Sequence, residues 1–229
     1  MADDRSLAAD IVTAARTLAR VGLVTAFGHV SARITGGILI TPAADLANVT
    51  EAGLIEIALA DDPPATLPAG APAEAWAHLQ VYAIRPDVAA IARAQPPAAF
   101  AAASLASELP ILHGQAAWLG RTIPVHQDAR LLRTPELAAA AARKLASPDT
   151  DALLLRGNGA LTCGRTPGDA VARMWLLSVA CTVWLTATSS GTPTSLDQAE
   201  LDSWRAVQSE LLPRLWRQLA TAVPSQPFA

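Results

Sequence analysis

Two long polar side chains at the end of a short apolar segment are candidates for chemistry in this sequence. Residues 88–94 predict a buried strand, which Pro96-Pro97 ends because proline has no N–H group to donate to a β-ladder. Arg93 and Gln95 have the same parity, so both side chains are expected on the same face of this strand end. A guanidinium fixed there can hold a carboxylate or an enolate oxygen.

A second pair of polar residues precedes that strand. Residues 73–84 predict a helix on which Glu74 and His78 lie one turn apart on the same face. We interpret His78 as a structural residue oriented by its neighbours. His113 and His126 fall in predicted loops without a visible partner, which is typical of surface or interface residues.

The elements that must position these residues follow from periodicity, caps and turn residues. Helices are predicted at 6–21, 73–84, 98–107, 134–145, 166–187 and 195–220, the last opened by a capping box of Ser195 and Gln198. Strands are predicted at 34–35 and 38–40 around a Gly36-Gly37 turn, and at 54–59, 88–94, 111–112, 123–125, 152–155 and 160–163. Hairpins near both ends favour a mostly antiparallel sheet covered by helices over a doubly wound parallel sheet.

Composition excludes several classes of protein. The 229 residues are 52% hydrophobic and 16% charged, which excludes a disordered chain and predicts one domain over 1–229. A net charge of −3 without a basic run argues against nucleic-acid binding. We expect no signal peptide and no membrane span, because Arg173 interrupts the longest apolar window, and hence a cytoplasmic protein. Cys163 and Cys181 are too few for a zinc cluster.

Several ordered motifs resemble the class II aldolase/adducin family, which includes fuculose-phosphate aldolase. They are G-H-V-S-A-R at 28–33, I-L-I-T-P at 38–42, and the segments 74–78, 82–88, 128–136 and 153–159. The match spans about residues 6–190 and leaves 191–229 as a C-terminal helical extension. The resemblance implies an α/β fold of three α/β/α layers on a mostly antiparallel central sheet. It also implies a homotetramer with its active site near a subunit interface.

The resemblance further implies a divalent metal, commonly zinc, held by a His-x-His pair after the R-P-D-V strand and by a third histidine in a turn. This sequence departs from that pattern, with Arg93 and Gln95 at the His-x-His positions and Asn158 at the third. Arginine has no lone pair to give to zinc. We therefore expect no metal and no other cofactor. Glu74 matches the family's acid/base glutamate, and the candidate catalytic residues are Glu74 and Arg93.

The substrate is expected to lie against residues that match the family's binding positions or the lost metal ligands: Gly28, His29, Ser31, Thr41, Gln95 and Asn158. Some of the residues that bind a phosphate group in the family are missing from this sequence. Pro72-Ala73 stand where the aldolases offer two serines, and Ala44 replaces a glycine, which disfavours a sugar phosphate. Gln95 and Asn158 do not titrate and are interpreted more readily as hydrogen-bonding fillers.

Alternatives stay open at this point. Arg93 either binds an anion in place of the metal or forms a structural salt bridge to Glu74. The protein is then a non-catalytic member that binds a small anionic or carbonyl compound, or a metal-independent lyase or decarboxylase acting on a small carboxylated, non-phosphorylated substrate. A metalloenzyme with a shifted ligand set of Glu74, His78 and His29 is disfavoured, because His29 belongs to a different loop. The expected partners are a small-molecule ligand and further copies of the chain, without nucleic acid or membrane.

Overall fold

The computed structural model describes residues 4–24, 26–59 and 66–221. Its helices are α1 Asp4–Arg20, α2 Ala75–Ile84, α3 Pro97–Leu105, α4 Pro135–Ala142, α5 Pro167–Ser190, α6 Gln198–Ala206 and α7 Gln208–Thr221. Its strands are β1 His29–Ile34, β2 Gly37–Ile40, β3 Ile55–Ala58, β4 Ala90–Ala94, β5 Glu108–Pro110, β6 Thr122–His126, β7 Ala152–Leu155 and β8 Gly159–Gly164. Part of the predicted 61–73 loop lies outside the described residues.

The eight strands form one sheet in the order β3-β2-β1-β4-β8-β7-β6-β5. Every neighbouring pair is antiparallel except β6 and β7, which are parallel. Strands that follow one another in the chain are antiparallel neighbours at both ends of the sheet, so little of the sheet needs a parallel crossover. The predicted α/β fold on a mostly antiparallel sheet is confirmed.

Each face of the sheet has its own core, because successive side chains of a strand point to opposite faces. On one face, alanines of β4 such as Ala90, Ala92 and Ala94 pack with residues of α1, α3 and α5. On the other face, Ile91 packs with α2 and α4. Helices on both sides of the sheet give the three layers.

Two local predictions about strands were wrong in position. The first hairpin turns at Thr35-Gly36, with Gly36 at φ +76°, and Gly37 already pairs with Ile34. The strand predicted at 111–112 is found just before it, as β5. Ile111 is outside the ladder, and its carbonyl accepts a hydrogen bond from the Leu196 amide.

The C-terminal region contains two helices where one was predicted. The capping box is Asp197 with Glu200, not Ser195 with Gln198. Asp197 Oδ1 accepts the Glu200 amide at 2.9 Å, and Glu200 Oε2 accepts the Asp197 amide at 2.8 Å. The chain then breaks at Val207, between α6 and α7.

The long helix α5 is, among the described helices, the one that is long and apolar enough to cross a membrane by length and composition. Half of its most apolar window, 50%, is buried within the fold, as in the core helix of a folded domain. Arg173 within it is buried and forms an ion pair with Asp151 at 2.9 Å.

Candidate functional site

Arg93 ends β4 in the middle of the sheet, between β1 and β8. Its side chain is 3% exposed, and Nη2 lies 3.1 Å from Oε2 of Glu74. Nη2 also donates to Asn158, to the carbonyl at 3.0 Å and to Oδ1 at close range. One nitrogen of Arg93 therefore contacts both Glu74 and Asn158.

Asn158 closes the third side of this arrangement. Its Nδ2 donates to Oε1 of Glu74 at 2.7 Å, while Oε2 of the same carboxylate is ion-paired with Arg93. Asn158 sits between Gly157 and Gly159, whose φ angles of +71° and +87° need glycine. A Cβ on Gly159 would lie 2.2 Å from the Ala94 carbonyl, so this turn packs tightly against the end of β4. We call Arg93, Glu74 and Asn158 the Arg93 triangle.

Within the Arg93 triangle, the positive charge of Arg93 is balanced by the Glu74 carboxylate. Burial lowers the pKa of Arg93, and the Glu74 carboxylate acts in the opposite direction. Arginine starts from so high a pKa that it stays protonated, so the two residues form an ion pair. The second guanidinium nitrogen, Nη1, is less occupied: within the described residues its one hydrogen bond is to the Phe27 carbonyl, at 3.5 Å.

His29 stands directly opposite Arg93 across the β1–β4 ladder. Opposite residues of a ladder put their side chains on the same face, so the His29 ring and the guanidinium lie on the same side of the sheet. The ring centroid of His29 is 5.7 Å from that of His78 on α2. Burial lowers the pKa of both histidines, and the Arg93 charge lowers it further.

Ser31 is fully buried on the same face. Its Oγ lies 2.7 Å from Nδ1 of His78 and 2.9 Å from the Tyr82 hydroxyl. The hydroxyl is thus engaged by two residues of α2, and its expected contact with substrate stays a prediction.

The other predicted binding residues have clear structural contacts. Thr41 is fully buried, and its Oγ1 accepts the Val30 amide at 3.1 Å. A Cβ on Gly28 would lie 2.5 Å from Val24 Cγ1 and 3.1 Å from the Arg93 carbonyl, so glycine lets this segment approach β4. Gln95 is half-buried against the Asn158 turn. These contacts explain the residue types without testing a role in binding.

Tyr82 and the Phe27 carbonyl were missed by the sequence analysis. Tyr82 had a readable signal, because Glu74, His78 and Tyr82 recur every four residues along α2 and its N-terminal cap, and therefore share one helix face. No sequence signal pointed to the Phe27 carbonyl, since any residue type supplies the same backbone group.

Two surface clefts flank this region. A groove of about 450 Å³ is lined by Ala73 and Trp76, on either side of Glu74 in sequence, and by Arg133. A cleft of about 840 Å³ is lined by Asp87 and Arg165. Asp87 precedes β4, so this cleft is at the other end of that strand from Arg93.

A sequence profile of the Class II Aldolase and Adducin N-terminal domain matches residues 9–185. The chain belongs to this family. None of the curated proteins matches the sequence at a significant level.

Solved structures agree with that assignment. L-fuculose-1-phosphate aldolase from Thermus thermophilus is 28% identical with a TM-score of 0.71, and the match covers 81% of this chain and 96% of that one. A second L-fuculose 1-phosphate aldolase is 22% identical, with a TM-score of 0.80 and coverage of 91% and 98%. The protein YgbL from Escherichia coli is 21% identical, with a TM-score of 0.76 and coverage of 88% and 99%. At 21–22% identity the last two show the shared fold alone.

Proposed function

We propose that this protein is a metal-independent member of the class II aldolase and adducin family that binds a small carboxylate- or carbonyl-bearing molecule beside Arg93. The observation that carries the proposal is the contact of Arg93 Nη2 with both Glu74 and Asn158. The family resemblance places metal ligands at the positions of Arg93, Gln95 and Asn158. In this chain a protonated guanidinium takes up that locus.

The donor set does not fit the zinc that the resemblance implies. Oε2 of Glu74 is already ion-paired with Arg93, and Oδ1 of Asn158 already accepts a hydrogen bond from it. A cation there would have to displace a buried positive charge. The described residues also contain no cluster of three or more His, Cys, Asp or Glu that could hold a metal ion. The metal site that the family resemblance implies is therefore degenerate in this chain.

The compensated charge of the site favours a ligand of low charge. Glu74 balances Arg93, and His29 is neutral, so a phosphate dianion would find little net positive charge. A single carboxylate or carbonyl oxygen fits the spare donor capacity of Nη1, whose contact with Phe27 is long. This agrees with the sequence, in which Pro72-Ala73 stand where the aldolases offer two serines for a phosphate group.

A metal-independent lyase or decarboxylase is the less supported function. One oxygen of Glu74 accepts a hydrogen bond from Asn158 and the other is ion-paired with Arg93, so both oxygens already have partners within the protein. A general acid or base needs an oxygen that can form a hydrogen bond to the reacting group. The present arrangement therefore favours binding over proton transfer.

A ligand screen with a matched variant tests the proposal. Acetate, glycolate, pyruvate and inorganic phosphate are titrated into the wild type and into Arg93→Met by protein-observed NMR. We expect the carboxylates to bind the wild type better than phosphate does, and Arg93→Met to lose that binding. Carbon dioxide release from acetoacetate, a 3-oxo carboxylate whose decarboxylation leaves an enolate, by metal-free protein and lost in Glu74→Gln would instead establish the decarboxylase.

A further inference from the structure

Two buried nitrogens next to the Arg93 triangle lack a hydrogen-bond partner within the described residues. They are Nδ1 of His29 and Nε2 of His78. His78 is 0% exposed and His29 is 7% exposed. Nearly all buried polar side-chain atoms in proteins are paired, so two neighbouring unpaired atoms need an explanation.

Tyr82 is the starting point for deciding which atom donates and which accepts in each contact around these two histidines. Tyr82 is 1% exposed, and within the described residues its hydroxyl has one hydrogen-bond partner, Ser31 Oγ. A buried hydroxyl proton is costly when it has no acceptor, so the phenol proton must be directed at this one partner. The phenol proton is then available for Ser31 Oγ, which lies 2.9 Å away.

The assignment continues along the same chain of contacts. Ser31 has one hydroxyl proton, and the acceptor left for it is Nδ1 of His78 at 2.7 Å. A neutral imidazole that accepts through Nδ1 carries its proton on Nε2. The unpaired Nε2 of His78 is therefore a donor.

The unpaired Nδ1 of His29 is the matching acceptor when His29 also carries its proton on Nε2. The ring centroids are 5.7 Å apart, a separation that a direct N–H···N bond or one bridging water can span after a small adjustment. One such hydrogen bond or water bridge would then give both unpaired nitrogens a partner. We propose that Tyr82, Ser31, His78 and His29 form one hydrogen-bonded relay that holds His29 as an uncharged donor, through Nε2, beside Arg93.

Both rings in this relay stay neutral. Burial is the main cause and lowers the pKa of His78 to about 3, and it lowers the pKa of His29 well below its usual value. Arg93 lies near both rings and opposes protonation further. Neutral rings are required, because a protonated His78 would have no lone pair to accept from Ser31.

The relay also specifies the ligand, and this part rests on the proposed function. His29 and Arg93 project from the same face of the sheet, so a ligand whose carboxylate reaches Arg93 can offer a second oxygen to His29. An uncharged donor suits a hydroxyl or carbonyl oxygen. The ligand class is then a 2-hydroxy or 2-oxo carboxylate. Ser31, His78 and Tyr82 are positioning residues, since they act through His29.

Nitrogen-15 NMR of the histidine rings tests the relay without any ligand. The chain has 4 histidines, which single His→Gln variants assign. At pH 7 we expect His29 and His78 to be neutral with the proton on Nε2. Ser31→Ala should shift both rings toward mixed tautomers, and Tyr82→Phe provides a second variant should Ser31→Ala fail to fold.

The control variant is Thr162→Val. It removes a hydroxyl that is equally buried, bonds the Ala170 carbonyl at 2.7 Å, and lies on the other face of the sheet. We expect it to leave both tautomers unchanged. A proton on Nδ1 of His29 in the wild type, or a His29 ring that responds to neither Ser31→Ala nor Tyr82→Phe, would overturn the relay.

A comparison of acetate with glycolate tests the ligand class separately. Glycolate should bind the wild type roughly 3- to 10-fold more tightly, the effect of one hydrogen bond, and Ser31→Ala should reduce that ratio. If neither compound binds, the proposed function fails, while the tautomer measurement still decides the relay. Equal affinities with the predicted tautomers would refute the ligand class alone.

Discussion

Nη2 of Arg93 and Oε2 of Glu74 are 3.1 Å apart, in side chains that are 3% and 14% exposed. Arg93 lies at the end of β4, and Glu74 immediately precedes α2, at its N-cap position. The ion pair thus ties a central strand to the helix that covers it. Asn158 bonds both partners from a third element, the β7–β8 turn.

Arg93→Ala should lower the free energy of unfolding by about 3–5 kcal/mol, because it leaves the Glu74 carboxylate without its cation. Arg93→Met with Glu74→Leu should recover most of this loss, since neither charge then remains buried. Urea denaturation of the singles and the double measures the effect. Arg121→Ala is the control: this arginine is 47% exposed, and its removal should cost about 0–1 kcal/mol. A double variant as unstable as Arg93→Ala would contradict the structural role of the pair.

Purified, tag-free protein should contain no stoichiometric zinc, nickel, manganese or iron by elemental analysis. The physical reason is the guanidinium of Arg93 at the locus where the family resemblance places metal ligands. The informative comparison is a triple variant, Arg93→His, Gln95→His and Asn158→His, which should gain about one zinc per chain. A wild type with about one metal per chain that is lost on Glu74→Gln would defeat the proposal.

Stability should fall on acidification below about pH 6.5, the ordinary pKa of histidine. The folded-state pKa values of His29 and His78 are lowered, so the unfolded chain binds more protons below its ordinary histidine pKa, and unfolding becomes favoured. Each ring lowers the free energy of unfolding by up to about 1.4 kcal/mol for each pH unit of acidification. This loss is absent above about pH 6.5. Unfolding in urea between about pH 5 and 7 measures the slope. His78→Gln should reduce it, and an unchanged slope would show that His78 is not buried as a neutral ring.

Asp151 should contribute more to stability than its near neighbour Asp149. Asp151 bonds Arg85 at 3.2 Å and Arg173 at 2.9 Å, and both arginine side chains are at most 6% exposed. Asp151→Asn should cost about 2–4 kcal/mol, because the buried Arg173 loses its anion and Arg85 keeps only Asp87. Asp149, whose side chain is 52% exposed in its pair with Arg205, is the matched control, and Asp149→Asn should cost about 0–1 kcal/mol. Equal losses would place the stabilisation elsewhere.

The chain should assemble as a homotetramer, four times its 23.7 kDa mass, as the family resemblance implies. Leu105 and Phe27 are large apolar residues that are 68% and 66% exposed in the single chain. Covering them in an assembly would remove apolar surface from water. Light scattering measures the mass of the wild type and of Phe27→Asp and Leu105→Lys. A stable wild-type monomer at micromolar concentration would refute the tetramer.

The sequence by itself determined the elements whose signals are local. Thr166 accepts the Asp169 amide and Pro167 opens α5, as their spacing predicted. The prolines after Gln95 end β4, and the paired glycines around residue 158 form a tight turn. Caps, prolines and turn glycines act within about four residues, so a short window contains all their physical causes. The ordered motifs likewise sufficed to identify the family.

Only the tertiary structure decided what those elements bring together. Arg93 and Asn158 are separated by 65 residues and Glu74 and Asn158 by 84, yet they meet through direct hydrogen bonds. The order of strands in the sheet and the packing of α2 across it set those distances, and no local signal encodes either. For the same reason Ser31 was predicted as a binding residue, while its neighbours across the core are His78 and Tyr82. A polar side chain pairs with whatever the fold places within about 3 Å of it, so its partner is a property of the whole fold.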